Sequence, residues 1–266
     1  MANLIADLAI TSLDSITAFG VTSNDFLFSL DELQNVTIEN AEEKTDITGK
    51  QGRKLTSLKR NKTVTISGTS GTLVAGLLEM QVGNEFESKA EATVRWVDAL
   101  SIASDAATTN FKAVGTAGAE ITALYIKNAD GTLGDKLEQA DAVAAGKFTY
   151  DPATKALAFY TGAYADGTEI AVFYERKLAA NVLENISDKY STKCKLFIDA
   201  TAEDTCANVY HVQIYVPKAD FDGNFSFEMG DNQTTHAFNA EALAGACGAG
   251  GTMWTYTVFG ANEADA

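Results

Sequence analysis

Proline is nearly absent from this sequence, with two in 266 residues, and histidine (two) and cysteine (three) are almost as scarce. So little proline excludes a string of modules on Pro-rich linkers, and no Pro/Ser-rich tract interrupts the chain. Cys194, Cys206 and Cys247 cannot all pair within one chain, which argues against an oxidised scaffold. Positive charge is short too: 20 Lys and Arg face 36 Asp and Glu, a formal net charge of −16. A surface this acidic repels phosphate and leaves only a local basic patch to grip nucleic acid. No run approaches the roughly 20 apolar residues of a membrane-spanning helix. The opening MANLIADLAITSLDS has no basic n-region, so no secretory signal is expected. The expectation is a soluble protein made in the cytosol, with no membrane partner.

What is present points to strands. Hydrophobic residues make up 46% and charged residues 21%, proportions of a folded chain rather than a disordered one. Twenty-one glycines, with Asn and Asp, punctuate runs such as Thr63-Val64-Thr65-Ile66-Ser67, whose strict alternation marks a strand with one wet and one dry face. Residues 35–39 and 62–67 alternate and predict a long hairpin around the polar stretch 39–61, while residues 26–30 and 92–97 read as further strands. Residues 1–25 fit an arm as well as a helix. The clearest helix is 73–82: Leu73, Leu77 and Met80 recur at three and four residues, with Ser70 or Thr72 to cap it and Gly83 to end it. Small polar residues at 102–118 suggest a boundary. Beyond it, 121–127, 147–150, 156–160 and 169–174 form a compact β unit. Residues 193–199, 209–216, 224–229, 235–241 and 253–259 resume the first domain. The division expected is 1–118, an insertion at 119–177, and 178–266.

Enzyme signatures are missing: no GxGxxG, GxxxxGK[ST], HExxH or GxSxG occurs. The glycine-rich Gly245–Gly251 lacks the lysine of a phosphate loop and reads as a hairpin connection. Cys194, Cys206, His211, His236 and Cys247 are the residue types that hold zinc, but no CxxC pair organises them, and core or surface thiols explain them better. Asn128–Thr132 and Asp220–Asn224 imitate calcium loops. The sixth and twelfth positions of such a loop hold Leu133 and Gln139, or Phe225 and Asp231, so Asn/Asp-Gly turns are the expectation. No catalytic residue, cofactor or metal is assigned. One charged segment remains. It is acidic first, at Glu42, Glu43 and Asp46, then basic, at Lys50, Arg53, Lys54, Lys59 and Arg60. Identical subunits pairing one basic half with another's acidic half would make a heterologous contact of the sort that builds rings and tubes. These eight residues are the candidate subunit interface.

The stretch Thr45-Asp46-Ile47-Thr48-Gly49-Lys50-Gln51-Gly52-Arg53-Lys54, running on to Lys62–Gly68, resembles tailed-bacteriophage structural proteins. Gly146–Asp151 with Leu157–Phe159 and Ile170–Tyr174 resembles their small β insertions. Asp222–Glu228 with His236–Leu243 is similar to the closing strands of phage major tail (tube) proteins. The resemblance implies a mainly β fold: a tail-tube-like β-sandwich or barrel with one flanking α-helix and an inserted small Ig-like β-sandwich. It implies six-membered rings stacked as a negatively charged conduit for DNA, which passes without specific binding. The implied partners are other copies, tape measure, tail terminator and baseplate, in a virion tail assembled in the host bacterial cytoplasm. A capsid shell or decoration protein is the alternative within the virion. A carbohydrate-binding adhesive module, stacking sugars on Tyr160, Tyr164, Tyr174 or Trp254, is the alternative outside it.

Overall fold

A computed structural model of the chain describes residues 7–230, 234–244 and 251–260. It is mainly β, with one α-helix among the described residues. The glycine-rich stretch up to Gly250, together with Cys247 and Asp231, lies outside the described residues. The chain divides into two compact units, residues 1–86 with 183–266 and residues 87–182.

The first unit opens with β1 (Leu8–Gly20), β2 (Phe26–Leu30), β3 (Leu33–Thr48), β4 (Lys54–Ser70) and α1 (Ala75–Val82). The second unit holds β5 (Glu87–Ser101), β6 (Ala106–Thr108), β7 (Ile121–Lys127), β8 (Leu133–Gln139), β9 (Lys147–Asp151), β10 (Ala156–Phe159) and β11 (Glu169–Val182). The first unit then closes with β12 (Lys193–Asp204), β13 (Val209–Phe221), β14 (Phe227–Glu228), β15 (Thr235–Ala242) and β16 (Thr255–Gly260).

In the first unit the sheet order is β2-β1-β12-β13-β15-β4-β3, with β14 on β15 and β16 on β13. Its dry face follows the period of two: Val64 and Ile66 on β4, Leu196 and Ile198 on β12, and Phe238 and Ala240 on β15 are buried together. The sheet curls, since side chains of β1, β3, β12 and β13 line one apolar cleft of about 490 Å³. Helix α1 closes the core with Leu77 and Met80. Gly76 lets it lie close, because a Cβ there would fall 2.5 Å from the Leu27 carbonyl oxygen. The helix starts later than its apolar stripe. Val74 is the N-cap, and Ser70 Oγ instead donates to the Thr72 carbonyl at 2.9 Å. Gly83 ends it in the left-handed region at φ 73°, its N–H on the Glu79 carbonyl.

Two strand readings in the first unit depart from what the sequence suggests. Residues 8–20 are a strand, neither arm nor helix, paired along β12 through bulges between Ile10 and Ser12 and between Leu13 and Ser15. Of the strand expected at 224–229, only Phe227–Glu228 pairs. The second unit also reaches further than 119–177. Strand β5 pairs with β11 from Ser101↔Glu169 back to Glu87↔Val182, so the chain enters and leaves this unit on adjacent residues. Its core is Leu124, Phe148, Leu157, Ile170 and Val172. Asp98 is buried beside it as a polar centre. It accepts from the Tyr174 hydroxyl (2.7 Å), Asn110 N (2.8 Å) and Trp96 Nε1 (2.9 Å). Burial pushes the Asp98 carboxyl up, but these donors outweigh it and hold the group below the usual carboxylate range.

Candidate assembly surface

Strands β3 and β4 pair from Leu33↔Ser70 out to Thr48↔Lys54. The near half belongs to the core. From Asn40 to Thr48 and from Lys54 to Thr63 every residue is exposed except Ser57, which is half-buried. This distal half is a two-stranded ribbon wet on both faces, about 25 Å long at about 3.3 Å per residue. Its tip turns through a short 3-10 segment at Lys50–Gly52, where Gln51 (φ 65°) and Gly52 (φ 74°) are both left-handed. An extra residue in β4 beside Asn61 (φ 51°) sets the offset between the strands.

All eight interface candidates lie on this ribbon or its tip. That offset pairs several of them within one chain. Lys59 meets Glu42 at 2.7 Å and Lys54 meets Asp46 at 2.7 Å. Asp46 also accepts from Ser57 Oγ at 2.9 Å, and Glu43 from Asn61 Nδ2 at 2.6 Å. The hydrogen bond from Lys59 lowers the Glu42 pKa, and those from Lys54 and Ser57 lower that of Asp46. The acidic half is thus largely engaged by its own hairpin. Lys50, Arg53 and Arg60 have no ion-pair partner among the described residues, although Arg60 stands opposite Glu43 in register. Residues 40–63 carry seven Lys and Arg against three Asp and Glu in a chain of net −16. Ile47, Leu55 and Leu58 are exposed among them. Further along the sheet, the outer edge of β3 has no strand partner among the described residues.

The other candidates are structural in what surrounds them. Cys194 is buried, and burial pushes its thiol up to about 12, far from a reactive thiolate. His236 is buried, with Nε2 2.7 Å from Gln81 Oε1, and burial lowers its pKa. Among the described residues no three His, Cys, Asp or Glu side chains cluster as a metal site. At Asp130 and Asp222 the side chains accept from the backbone two residues on, at 3.0 and 2.9 Å, which is the geometry of plain turns. Of the aromatic platforms, Tyr174 is buried against Asp98 and offers no face to a sugar, whereas Tyr160 and Trp254 are exposed. Among the described residues no helix is long and apolar enough to cross a membrane.

The family description of YomU/Tube proteins fits residues 8–256, nearly the whole chain. The chain belongs to the YomU/Tube protein family. It is therefore a phage-associated tube protein, a structural component of the virion tail. The family implies assembly with copies of itself and with other tail proteins, and a structural rather than enzymatic role. No curated protein matches the chain. The sequence reading found the charges of this tube protein but not their pairing, and it missed the exposed Ile47, Leu55 and Leu58 among them. Their cue was present: three apolar side chains in a stretch otherwise polar.

Proposed function

We propose that this tube protein is the repeating subunit of the tail tube. In this reading six copies close into a ring, and the rings stack into a conduit through which genomic DNA passes without specific binding. The observation that carries it is the ribbon. An isolated two-stranded hairpin is marginal in water, yet this one extends about 25 Å past its core at about 3.3 Å per residue. Its exposed apolar residues, with Lys50, Arg53 and Arg60 in no ion pair among the described residues, suit contact with a neighbour. The outer edge of β3, without a strand partner among the described residues, supports ring closure in the same way, since free edges template strand pairing. The net charge of −16 supports a wall that DNA does not stick to. Tape measure, tail terminator and baseplate would meet the ends of such a tube, assembled in the bacterial cytoplasm. The compact unit at 87–182 is an insertion whose ends meet at Glu87 and Val182. Negative-stain microscopy of protein purified without denaturation tests the reading. Hollow tubes or six-fold rings are expected. Closed shells would move the protein to the capsid, and a uniform monomer at high concentration would contradict assembly altogether.

A further inference from the structure

In the second unit the sheet has a face turned away from the unit's own core. Val97 on β5, Phe173 on β11 and Ala123 on β7 stand side by side across it. Tyr125 lies in the next row of β7, and Leu133 of β8 stands opposite Lys127. Val97 and Leu133 are 53% and 50% exposed, and the Tyr125 and Phe173 rings meet edge to face at 6.1 Å. Small Ala123 leaves room between these larger side chains, and together they line an open cleft of about 660 Å³. Arg95, Glu175 and Thr122 border the same cleft. Arg95 and Glu175 are opposite each other in register, yet neither makes an ion pair or a side-chain hydrogen bond among the described residues. Thr122 is the extra residue of a β-bulge, because Phe173 pairs with Ala123 and Tyr174 with Ile121. Bulges re-aim side chains, and they recur beside binding sites. Trp96 also borders the cleft, but its ring already carries the Arg176 guanidinium 5.1 Å from its centroid and its Nε1 donates to Asp98. Tyr125 and Phe173 are therefore the free aromatic platforms.

We propose that this cleft binds neutral hexopyranose sugars, as a segment of an oligosaccharide chain. The inference stands apart from the tube reading, since it needs only the second unit's sheet. Its volume lies within the roughly 300–1,000 Å³ of small-ligand sites, which are mostly apolar with a few placed polar groups. A pyranose ring has the matching split. Its C–H groups make an apolar face that packs on an aromatic ring, and the hydroxyls around its edge both donate and accept. Here Tyr125 and Phe173 meet the ring face, the Glu175 carboxylate accepts from hydroxyls, and the Arg95 guanidinium donates to them. Other occupants fit less well. The face measures about 14 Å across four strands and about 20 Å from Arg95 to Ser101, or about 300 Å², against about 800 Å² per partner in a stable protein interface. Glu175 and the net charge of −16 repel a nucleic-acid backbone. An acyl chain would desolvate Arg95 and Glu175 without pairing either. Because the cleft is open, the bound sugar can belong to a longer chain.

The test is isothermal titration of the full chain with chitohexaose, maltohexaose and mannohexaose in turn, with thermal melting as the check that each variant folds. Saturable binding of at least one of them with Kd below about 5 mM is expected. Phe173→Ala and Tyr125→Ala should each weaken it about tenfold or more, because the ring that carries the sugar face is gone. Should either disturb folding, Arg95→Gln serves: its side chain is exposed, and losing a charged donor should weaken binding about tenfold. Tyr160→Ala, an exposed aromatic outside the cleft, should leave the affinity unchanged. No saturable heat with any of the three sugars would overturn the inference. So would binding that survives the cleft substitutions, or that is lost with Tyr160. A Phe173→Ala chain that folds, binds no sugar less well than the unaltered chain and fails to form tubes would also overturn it, and would make the face an interface between copies.

Discussion

The two halves of the β3–β4 hairpin share strands and a ladder but differ in what surrounds them. In the near half, Val64, Ile66, Gly68 and Ser70 are buried in strict alternation, and a Cβ on Gly68 would fall 2.7 Å from the Asn35 carbonyl oxygen. In the distal half nothing is buried, and the contacts are ion pairs and side-chain hydrogen bonds between exposed groups. Backbone pairing alone therefore does not distinguish the part of the hairpin that belongs to the monomer's core from the part that stands outside it; burial does. Substitutions in the near half should act on the monomer, and substitutions in the distal half should act only when copies meet.

The largest expected effect is in the near half. Ile66→Ala removes a fully buried side chain and should cost about 2–5 kcal/mol in urea unfolding, whereas exposed Leu58→Ala should stay within about 0.5 kcal/mol. Equal costs would break the comparison. Acid gives a smaller effect. His236 sits beside Ser70 in the β4–β15 ladder, and its folded pKa lies below the ordinary value of 6.5. The unfolded chain then takes up the proton first. Stability is full above about 6.5, falls as the pH drops by at most about 1.4 kcal/mol per unit, and levels off once the folded group protonates. His236→Gln should flatten that part of the urea midpoint profile between pH 8 and 5. An unchanged slope would show that the buried ring is not its source. The smallest effect belongs to the distal ion pairs: Lys59→Ala should change monomer stability by less than about 1 kcal/mol, since exposed pairs contribute little. A larger loss would mean that the ribbon is part of the folding unit.

How much of this was legible in the sequence depends on whether a signal was local. Thr63–Ser67 announced its strand because its alternation is unbroken, and Gly83 announced the end of the helix because a left-handed residue was needed there. Strand β1 was hidden because two bulges interrupt its period of two. Strand β8 was hidden because Gly134, Asp135 and Lys136 leave it little apolar pattern. The start of the second unit was set at 119 by the small residues of 102–118, whereas pairing of β5 with β11 across some eighty residues of chain carries it back to Glu87. The charges of the candidate surface were plain. Which lysine meets which carboxylate was not, because that follows from the offset at Asn61, a feature of one residue's backbone.

The most direct test of the claim that the distal ribbon serves assembly is amide hydrogen exchange on monomer and on assembled tubes. The account predicts fast exchange at residues 40–48 and 54–63 in the monomer and strong protection there in tubes, with residues 64–70 slow in both. Ribbon amides that exchange equally fast in tubes, or that are already as slow as residues 64–70 in the monomer, would contradict it.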